Sequence, residues 1–350
     1  MAMYSTLFQL FLKRLDPERA HHLAMPVIRA AGVLGPLARG FTAPDPQLQV
    51  RALGMTFPSP FGLAAGFDKN AEAVLGLGAL GFGHVEVGTL TQHAQDGNPK
   101  PRMFRLVDDR ALINRMGFNN RGSLDAVARL ERARLARHRP ILGVNIGKSR
   151  ITEVDQALSD YVFSAQRLAP LADYLAINVS SPNTPGLRGL QELSSLEPLL
   201  RAVKQAAGET PVLVKIAPDM ADEQIDGIVA LAIRLGLEGL IATNTTVSRS
   251  GLSCPESEIE RIGAGGLSGA PLKNRALSVL RRVREAAPDP DFCVISAGGV
   301  ASADDVHERL LAGATLVQGF TAFIYEGPLW ARQINRGLEK LGWQASYSGK

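Results

Sequence analysis

The chain has 350 residues, 45% of them hydrophobic, and carries 38 Lys and Arg against 34 Asp and Glu. That length holds one large barrel or two ordinary domains, and a net charge of +4 without a dense basic run interleaved with aromatics excludes a nucleic-acid-binding surface. Two cysteines exclude a disulfide framework and a thiolate metal cluster, so a reducing compartment fits; no uninterrupted apolar stretch suits a membrane span, and no signal peptide is readable at the N-terminus.

The first 40 or so residues differ in character from the rest. Leu7, Phe8, Leu10, Phe11, Leu12 and Leu15 give an apolar face ending in Lys13 and Arg14. Asp16, Pro17 and Glu18 then read as an N-cap, a first-turn proline and a first-turn acid, opening a second helix with His21, His22, Leu23 and Met25. Two short helices of this kind suit an interfacial clamp or a helical lid on the bottom of a barrel, and both readings stand. The expected division is a helical segment 1–40 and a catalytic barrel 41–350.

Short apolar runs rich in β-branched residues follow, ending in Gly, Asn, Ser or Thr. They are Phe61–Ala65, His84–Gly88, Ile141–Asn145, Tyr174–Asn178, Pro211–Lys215, Gly239–Thr243, Phe292–Ser296 and Ala314–Gln318. Helically spaced stretches such as Ala221–Gly236 and Ser302–Gly313 lie between them, so the pattern is β then α repeated. Near-continuous apolar strands indicate a parallel sheet covered on both faces. Eight such units favour a closed (β/α)₈ barrel over a doubly wound sheet. The intervals Thr89–Arg139 and Asn244–Pro290 exceed what a single helix needs and are expected to carry flaps or lids. The basic clusters Arg132–Arg139 and Arg281–Arg284 read as solvated helix faces near helix C-termini.

In a barrel the polar residues at strand ends, Lys69, Thr89, Asn145, Asn178, Lys215, Thr243, Asn244 and Gly299, converge on one mouth. The loop Asn178–Gly186 packs amides and a hydroxyl at Ser181 between two prolines, as either an ordinary βα turn or a stiff reaction loop. Ser296–Val300 and Gln318–Thr321, after the last two strands, with Gly265–Gly269 before them, suit a phosphate, since glycine opens the backbone and a helix N-terminus favours negative charge. Lys215 closes an apolar strand, where an unpaired ammonium is costly, so it is expected to meet an anion such as a reduced flavin ring. Lys69 suits a ligand carboxylate or cofactor; a salt bridge is the alternative for each, and Asp68 and Glu72 make it the stronger one for Lys69. Asn114–Asn120, Asn178, Asn183, Asn244 and Thr245 offer neutral donors and acceptors that suit a flat imide or pyrimidine edge.

The runs AAGFDKN, NRMGFNN, VNIGKS, INVSSPNTPGLR, VKIAPD, IATNTT, GGLSGAPL and SAGGV, in this order, resemble the dihydroorotate dehydrogenase family from Asp16 to Gly327. The N-terminal helices and the loop serine resemble its membrane-associated, quinone-reducing class; the soluble classes use cysteine as the base. The resemblance implies a flavoprotein of pyrimidine biosynthesis. Ser181 would take a proton from carbon 5 of dihydroorotate while hydride leaves carbon 6 for nitrogen 5 of FMN, by way of a proton path that involves Thr184. It implies substrate contacts from Lys69, Asn114, Arg115, Met116, Gly117, Phe118, Asn178, Asn183, Asn244 and Thr245. FMN would be surrounded by Ala65, Gly66, Phe67, Asp68, Lys69, Thr89, Asn145, Asn178, Lys215, Thr243, Gly269, Gly299, Phe320 and Thr321.

His21 and Arg105 fall on the positions that line the family's quinone tunnel. Phe320 stands where the family usually has tyrosine, which removes a hydroxyl near the flavin phosphate and the quinone head. The resemblance further implies one FMN per chain, a quinone co-substrate, no metal or iron–sulfur cluster and no obligatory protein partner. Peripheral association with the cytoplasmic face of a bacterial inner membrane is expected. A non-redox barrel, an aldolase or isomerase holding a phosphorylated substrate at the same glycines, and an inert barrel with a membrane-docking adaptor are the rival expectations.

Overall fold

The computed structural model describes residues 2–345; Met1 and residues 346–350, the outer ends of the two expected segments, lie outside the described residues. Three helices precede the barrel instead of two: α1 (Ala2–Leu10), α2 (Pro17–Val33) and α3 (Gly35–Thr42). Asp16 caps α2 as expected, its Oδ1 accepting from the Arg19 amide at 2.9 Å. Glu18 does more than complement the helix dipole. It is buried and receives Arg102 Nε at 3.2 Å and Nη2 at 2.6 Å, which pins α2 to the barrel's long second loop.

An antiparallel hairpin, β1 (Val50–Ala52) and β2 (Met55–Phe57), comes next. Val50 and Phe57 pack with Tyr174, Leu213, Ile241 and Ile295, so the hairpin plugs the barrel interior from below. The chain continues through β3 (Phe61–Leu63), α4 (Val74–Ala79), β4 (His84–Leu90), β5 (Met103–Leu106), β6 (Ala111–Asn114), α5 (Ser123–Leu135), β7 (Ile141–Ile146) and α6 (Ala157–Leu168). Then come β8 (Tyr174–Asn178), α7 (Leu193–Ala207), β9 (Val212–Ile216), α8 (Asp222–Arg234), β10 (Gly239–Ala242), α9 (Glu256–Ile262) and β11 (Gly266–Gly269). The remaining elements are α10 (Lys273–Ala286), β12 (Cys293–Ala297), α11 (Ala303–Leu311), β13 (Leu316–Gly319), α12 (Thr321–Glu326) and α13 (Trp330–Lys340).

Strands β3, β4, β7, β8, β9, β10, β12 and β13 close into a parallel barrel, and each matches one of the apolar runs to within two residues. Their side chains are almost all buried, because the interior is filled from one side and the helices cover the other. Both long intervals do carry extra structure, and the two meet. Strands β5 and β6 from the first pair with β11 from the second in one antiparallel sheet, with Asn114 opposite Gly266. The basic clusters are less solvated than expected: Arg139 pairs with Asp173, Arg282 with Asp226, and Arg284 donates to the carbonyls of Gly313, Ala287 and Asp289.

The N-terminal segment docks by backbone contact. A Cβ on Gly76 of α4 would meet the Ile28 carbonyl of α2 at 1.9 Å, and one on Gly32 would meet the Gly76 amide at 2.8 Å. Since neither backbone can give way without moving its helix, Gly76→Ala should cost about 1–3 kcal/mol. Limited proteolysis should then cut the segment before α4 while the barrel survives. Proteolysis indistinguishable from the wild type would mean that the helices tolerate the extra methyl.

Candidate active site

The C-terminal ends of the barrel strands surround a cleft of about 1160 Å³, counting the solvent at its open mouth. Thr89, Asn178, Lys215 and Gln318 reach it from strands or strand ends, and the β5–β6–β11 sheet overhangs it with Met103, Leu112, Asn114 and Ser268. This is where a (β/α)₈ barrel places reactive groups, because successive βα loops converge there.

The loop after β8 turns its polar groups into that cleft. Asn178 Oδ1 accepts from the Ser180 amide at 3.3 Å and from Asn244 Nδ2 at 3.2 Å, while its Nδ2 donates to Thr89 Oγ1 at 3.1 Å and Asn145 Oδ1 at 3.3 Å. Asn183 Nδ2 donates to Asn114 Oδ1 at 3.3 Å. The expected ring of amides therefore exists, and its members hold one another in place. Ser181 is 5% exposed, lines the cleft and accepts the Asn183 amide at 3.3 Å. No carboxylate or imidazole bonds to it among the described residues. Three residues on, the buried Thr184 hydroxyl has no hydrogen-bond partner.

The two lysines reverse their expected order. Lys215 has the salt bridge, with Nζ 3.8 Å from Oε1 of the fully buried Glu86. Lys69 has none among the described residues: Asp68 spends its carboxylate on the Glu72 and Ala73 amides, and Glu72 pairs with Arg29 and Arg121. Burial pushes the Lys69 ammonium down to about 8, partly offset by the charges of Glu18 and Asp68. Proximity in sequence misled here because a buried carboxylate in a loop is claimed first by the loop's own unpaired amides. Among the described residues, Lys69 is the lysine of the cleft without a salt bridge.

Behind the floor, Glu86 accepts from Asn145 Nδ2 at 2.8 Å, Gln318 Nε2 at 2.9 Å and Tyr174 Oη at 3.2 Å. Burial and then the Glu86 charge hold the Tyr174 phenol far above its ordinary range. Glu86 did not stand out in the sequence, and Gln318 did so only as the first residue of the Gln318–Thr321 run read as a phosphate site. The available signal was an acid inside one apolar strand and a lysine ending another, which a closed barrel must bring together or leave uncompensated. Gln318 lines the cleft, and its buried Oε1 has no hydrogen-bond partner.

Gly298 and Gly299, with φ of +111° and +73°, and Gly319, Phe320 and Thr321 line the end of the cleft beyond β12 and β13. At Gly299 a side chain is excluded outright, since a Cβ would meet the Lys273 backbone at 2.3 Å. Just before α11, Asp305 accepts the Ala301 amide at 2.8 Å and the Ser302 amide at 2.9 Å, while α12 begins at Thr321 on the cleft itself.

Of the residues named from sequence, Ala65, Gly66, Lys69, Thr89, Asn114, Met116, Gly117, Phe118, Asn178, Ser181 and Asn183 line this one cleft, as do Lys215, Thr243, Asn244, Thr245, Gly269, Gly299, Phe320 and Thr321. Asn145 stands behind it, accepting from Thr89 Oγ1 at 2.6 Å. Arg115 faces away, donating to the carbonyls of Ala264 at 3.1 Å and Pro101 at 3.0 Å. Phe67, Asp68 and His21 line a neighbouring cleft against α2 that Lys69 shares. His21 Nε2 lies 2.8 Å from the Phe67 carbonyl, which fixes the proton on Nε2; burial and then the Lys69 charge push its pKa down to about 4, so the ring is neutral. Arg105 is in neither cleft and donates to the Leu15 and Lys13 carbonyls, tying β5 to the turn between α1 and α2.

Fold and cleft together define a (β/α)₈ barrel enzyme with a buried hydroxyl, an amide ring and a free ammonium at its catalytic mouth. A sequence profile described as dihydroorotate dehydrogenase matches residues 47–341. The chain is 64% identical over 341 residues to a dihydroorotate dehydrogenase (quinone) of Leifsonia xyli subsp. xyli, covering 97% of this chain and 99% of that one. It is 54% identical over 357 residues to the protein of the same name from Streptomyces coelicolor, covering 99% and 96%. Among solved structures, the DHODH of Eimeria tenella in complex with ferulenol superposes with a TM-score of 0.82 at 40% identity, covering 93% of this chain and 91% of that one. The chain belongs to the dihydroorotate dehydrogenase family.

Proposed function

We propose that Ser181 is the base of a dihydroorotate oxidation whose electrons pass through FMN to a quinone. The reaction is the family's: dihydroorotate loses two hydrogens to give orotate in pyrimidine (UMP) biosynthesis, with a quinone as acceptor. One observation carries the assignment of the base. Ser181 carries a buried hydroxyl on the loop between Asn178 and Asn183, in a cleft it shares with those two and with Asn114, Asn244, Thr245 and Lys69, the set suited to a planar ring with a carboxylate.

The residues present fit FMN. Gln318 Oε1 lacks a donor that a flavin imide N–H provides, Lys215 brings positive charge to the floor, and the glycines after β12 and β13 leave room for a phosphate against the backbone. When bound, FMN supplies the hydride acceptor and relays electrons to the quinone. Ala65, Gly66, Thr89, Thr243, Gly269, Gly299, Phe320 and Thr321 would hold it, with Asn145 setting the floor from behind and Phe67 and Asp68 shaping the loop that carries Lys69. Ser181 Oγ would accept the proton from carbon 5 of the substrate. With no imidazole or carboxylate to drive it, the serine depends on a dry site and on a route for its own proton, for which the partnerless Thr184 hydroxyl is the nearest group along the loop.

For the second half-reaction the segment 1–40 would guide the quinone toward His21 and Arg105, with the catalytic barrel as 41–350. Leu7, Leu10, Leu23, Val27, Val33, Leu37 and Phe41 on the three helices, and Phe11 in the turn after α1, are exposed, a surface suited to a lipid interface. No helix among the described residues is long and apolar enough to cross a membrane. Peripheral attachment to the cytoplasmic face of a bacterial inner membrane is the location this supports. Anaerobic mixing with dihydroorotate should bleach the flavin band, and a quinone, not fumarate, should restore it. A colourless protein, or recovery with fumarate alone, would overturn the proposal.

Lys69 sets a pH dependence. The substrate carboxylate binds the charged ammonium, and the free lysine loses its proton above about 8. The orotate Kd should stay flat below that pH and rise above it toward tenfold per pH unit, until the pKa of the bound lysine is reached. Lys69→Met should weaken orotate roughly tenfold or more at pH 7 and abolish the inflection, as spectral titration would show.

A further inference from the structure

We propose that Arg188 is a positioning residue that locks the loop bearing Ser181 to the substrate loop after β10, so that both face one ligand in fixed register. The proposal rests on the assignment of Ser181 as base and deepens it. Gly186, in the left-handed region at φ +69°, opens a short 3-10 turn over Leu187–Gln191 that brings Arg188 back beneath its own loop. There the guanidinium uses three nitrogens on three different βα loops. Nε donates to the Ser180 carbonyl at 3.1 Å, Nη2 to the Thr245 carbonyl at 3.0 Å, and Nη1 to Asp219 Oδ2 at 2.8 Å.

Each partner adjoins a residue of the site. Ser180 precedes Ser181, and Thr245 itself lines the cleft. Asp219, after β9, also receives the Val247 amide at 3.1 Å and the Thr246 hydroxyl, so it secures the far side of the same loop. From inside the mouth, Asn244 Nδ2 crosses the same seam to Ser180 Oγ at 2.9 Å. Above it β11 leaves no slack, since a Cβ on Gly266 would meet Thr245 Oγ1 at 2.0 Å and Pro182 Cγ at 3.3 Å. The seam between the two loops is thus sewn from both sides. Arg188 does not line the cleft and is 25% exposed in its side chain, so its effect on chemistry runs through the loops.

Why arginine follows from the geometry of the contacts. Two carbonyls and a carboxylate on three separate segments demand donors that diverge from one rigid plane, which a guanidinium has and an ammonium on a flexible stem lacks. A clamp of this kind contributes by holding a near-attack geometry, where an ångström of misplacement costs about a hundredfold in rate.

The test compares Arg188→Ala, Arg188→Lys and Asp219→Asn with the wild type as FMN-loaded full-length proteins. Four quantities are measured: the flavin-bleaching rate at saturating dihydroorotate, the orotate Kd, reoxidation of dithionite-reduced protein by a quinone, and amide exchange without ligand. Arg188→Ala should lower the saturating rate about ten- to a hundredfold, raise the orotate Kd by less, and leave reoxidation unchanged. Exchange should rise in 178–187, around Asp219 and in 244–247, and not across the rest of the barrel. Arg188→Lys should recover part of the rate, and Asp219→Asn should lose less than Arg188→Ala.

An unchanged saturating rate overturns the proposal. So does a fall in reoxidation to match, with exchange rising across the barrel, since that is what a merely structural residue would give. Should Arg188→Ala fail to fold, the Arg188→Lys and Asp219→Asn proteins decide by the same criteria. Wild-type protein that dihydroorotate does not bleach would instead defeat the assignment of the reaction, while the local exchange pattern would still judge the clamp.

Discussion

Replacing Ser181 by alanine should leave FMN bound and slow flavin bleaching by dihydroorotate on the order of a hundredfold or more, the range expected when a general base is lost. The size follows from what surrounds the hydroxyl. The loop's other hydroxyls, Ser180 and Thr184, do not line the cleft, and the amides that do are committed to one another and are not bases. Water is a poor substitute in a site where Ser181 is 5% exposed. The loop itself should survive, because Ser181 contributes only an acceptor for the Asn183 amide at 3.3 Å, while Arg188, Asn178 and Asn244 hold the backbone. The orotate Kd should therefore change much less than the rate. Stopped-flow bleaching near the wild-type rate would remove Ser181 from the chemistry and turn attention to Lys69, the remaining group in the cleft with a proton to lose near neutral pH.

How far the sequence reaches depends on the range of the interaction being read. The barrel strands were legible because each is a local apolar run buried on both sides, and each appeared where expected. The β5–β6–β11 sheet was legible only as two overlong intervals. Its strands are four residues each, β11 reads as a glycine-rich loop, and the pairing of Asn114 with Gly266 joins distant parts of the chain. The hairpin under the barrel was missed for the same reason: Val50 and Phe57 reveal their role only against Tyr174 and Ile295. Within the site, the neutral amides and Ser181 were visible as a cluster of polar residues at strand ends. Arg188 ended the most specific motif in the chain without a role, since its partners come from three loops. The salt-bridge alternative was ranked on the wrong lysine, because neighbours along the chain are not the partners a barrel provides.

The largest expected effect on stability lies at Glu86. In β4 the side chains of His84 and Glu86 point into the barrel, successive residues of a strand facing opposite ways. His84 meets the hairpin plug, its ring 5.5 Å from that of Phe57, and burial pushes its pKa down to about 3, so it stays neutral. Glu86, one layer higher, is fully buried and is the acceptor for Asn145, Gln318 and Tyr174 as well as the partner of Lys215. Glu86→Ala would leave a buried ammonium and three buried donors without their acceptor. Loss of one member of a buried pair costs about 3–5 kcal/mol, and denaturant unfolding of the flavin-free protein should show a loss of that size. Lys215→Met should cost a similar amount, since it strands the carboxylate instead. Combining Glu86→Gln with Lys215→Met removes both charges and should restore part of the stability, because two neutral groups in contact need no counter-ion. FMN retention should not recover with it, since the doubly substituted floor has lost the cation proposed to face the flavin. A double variant destabilised by the sum of the two single losses would show that Glu86 and Lys215 act independently, and the floor would then be held by its neutral hydrogen bonds.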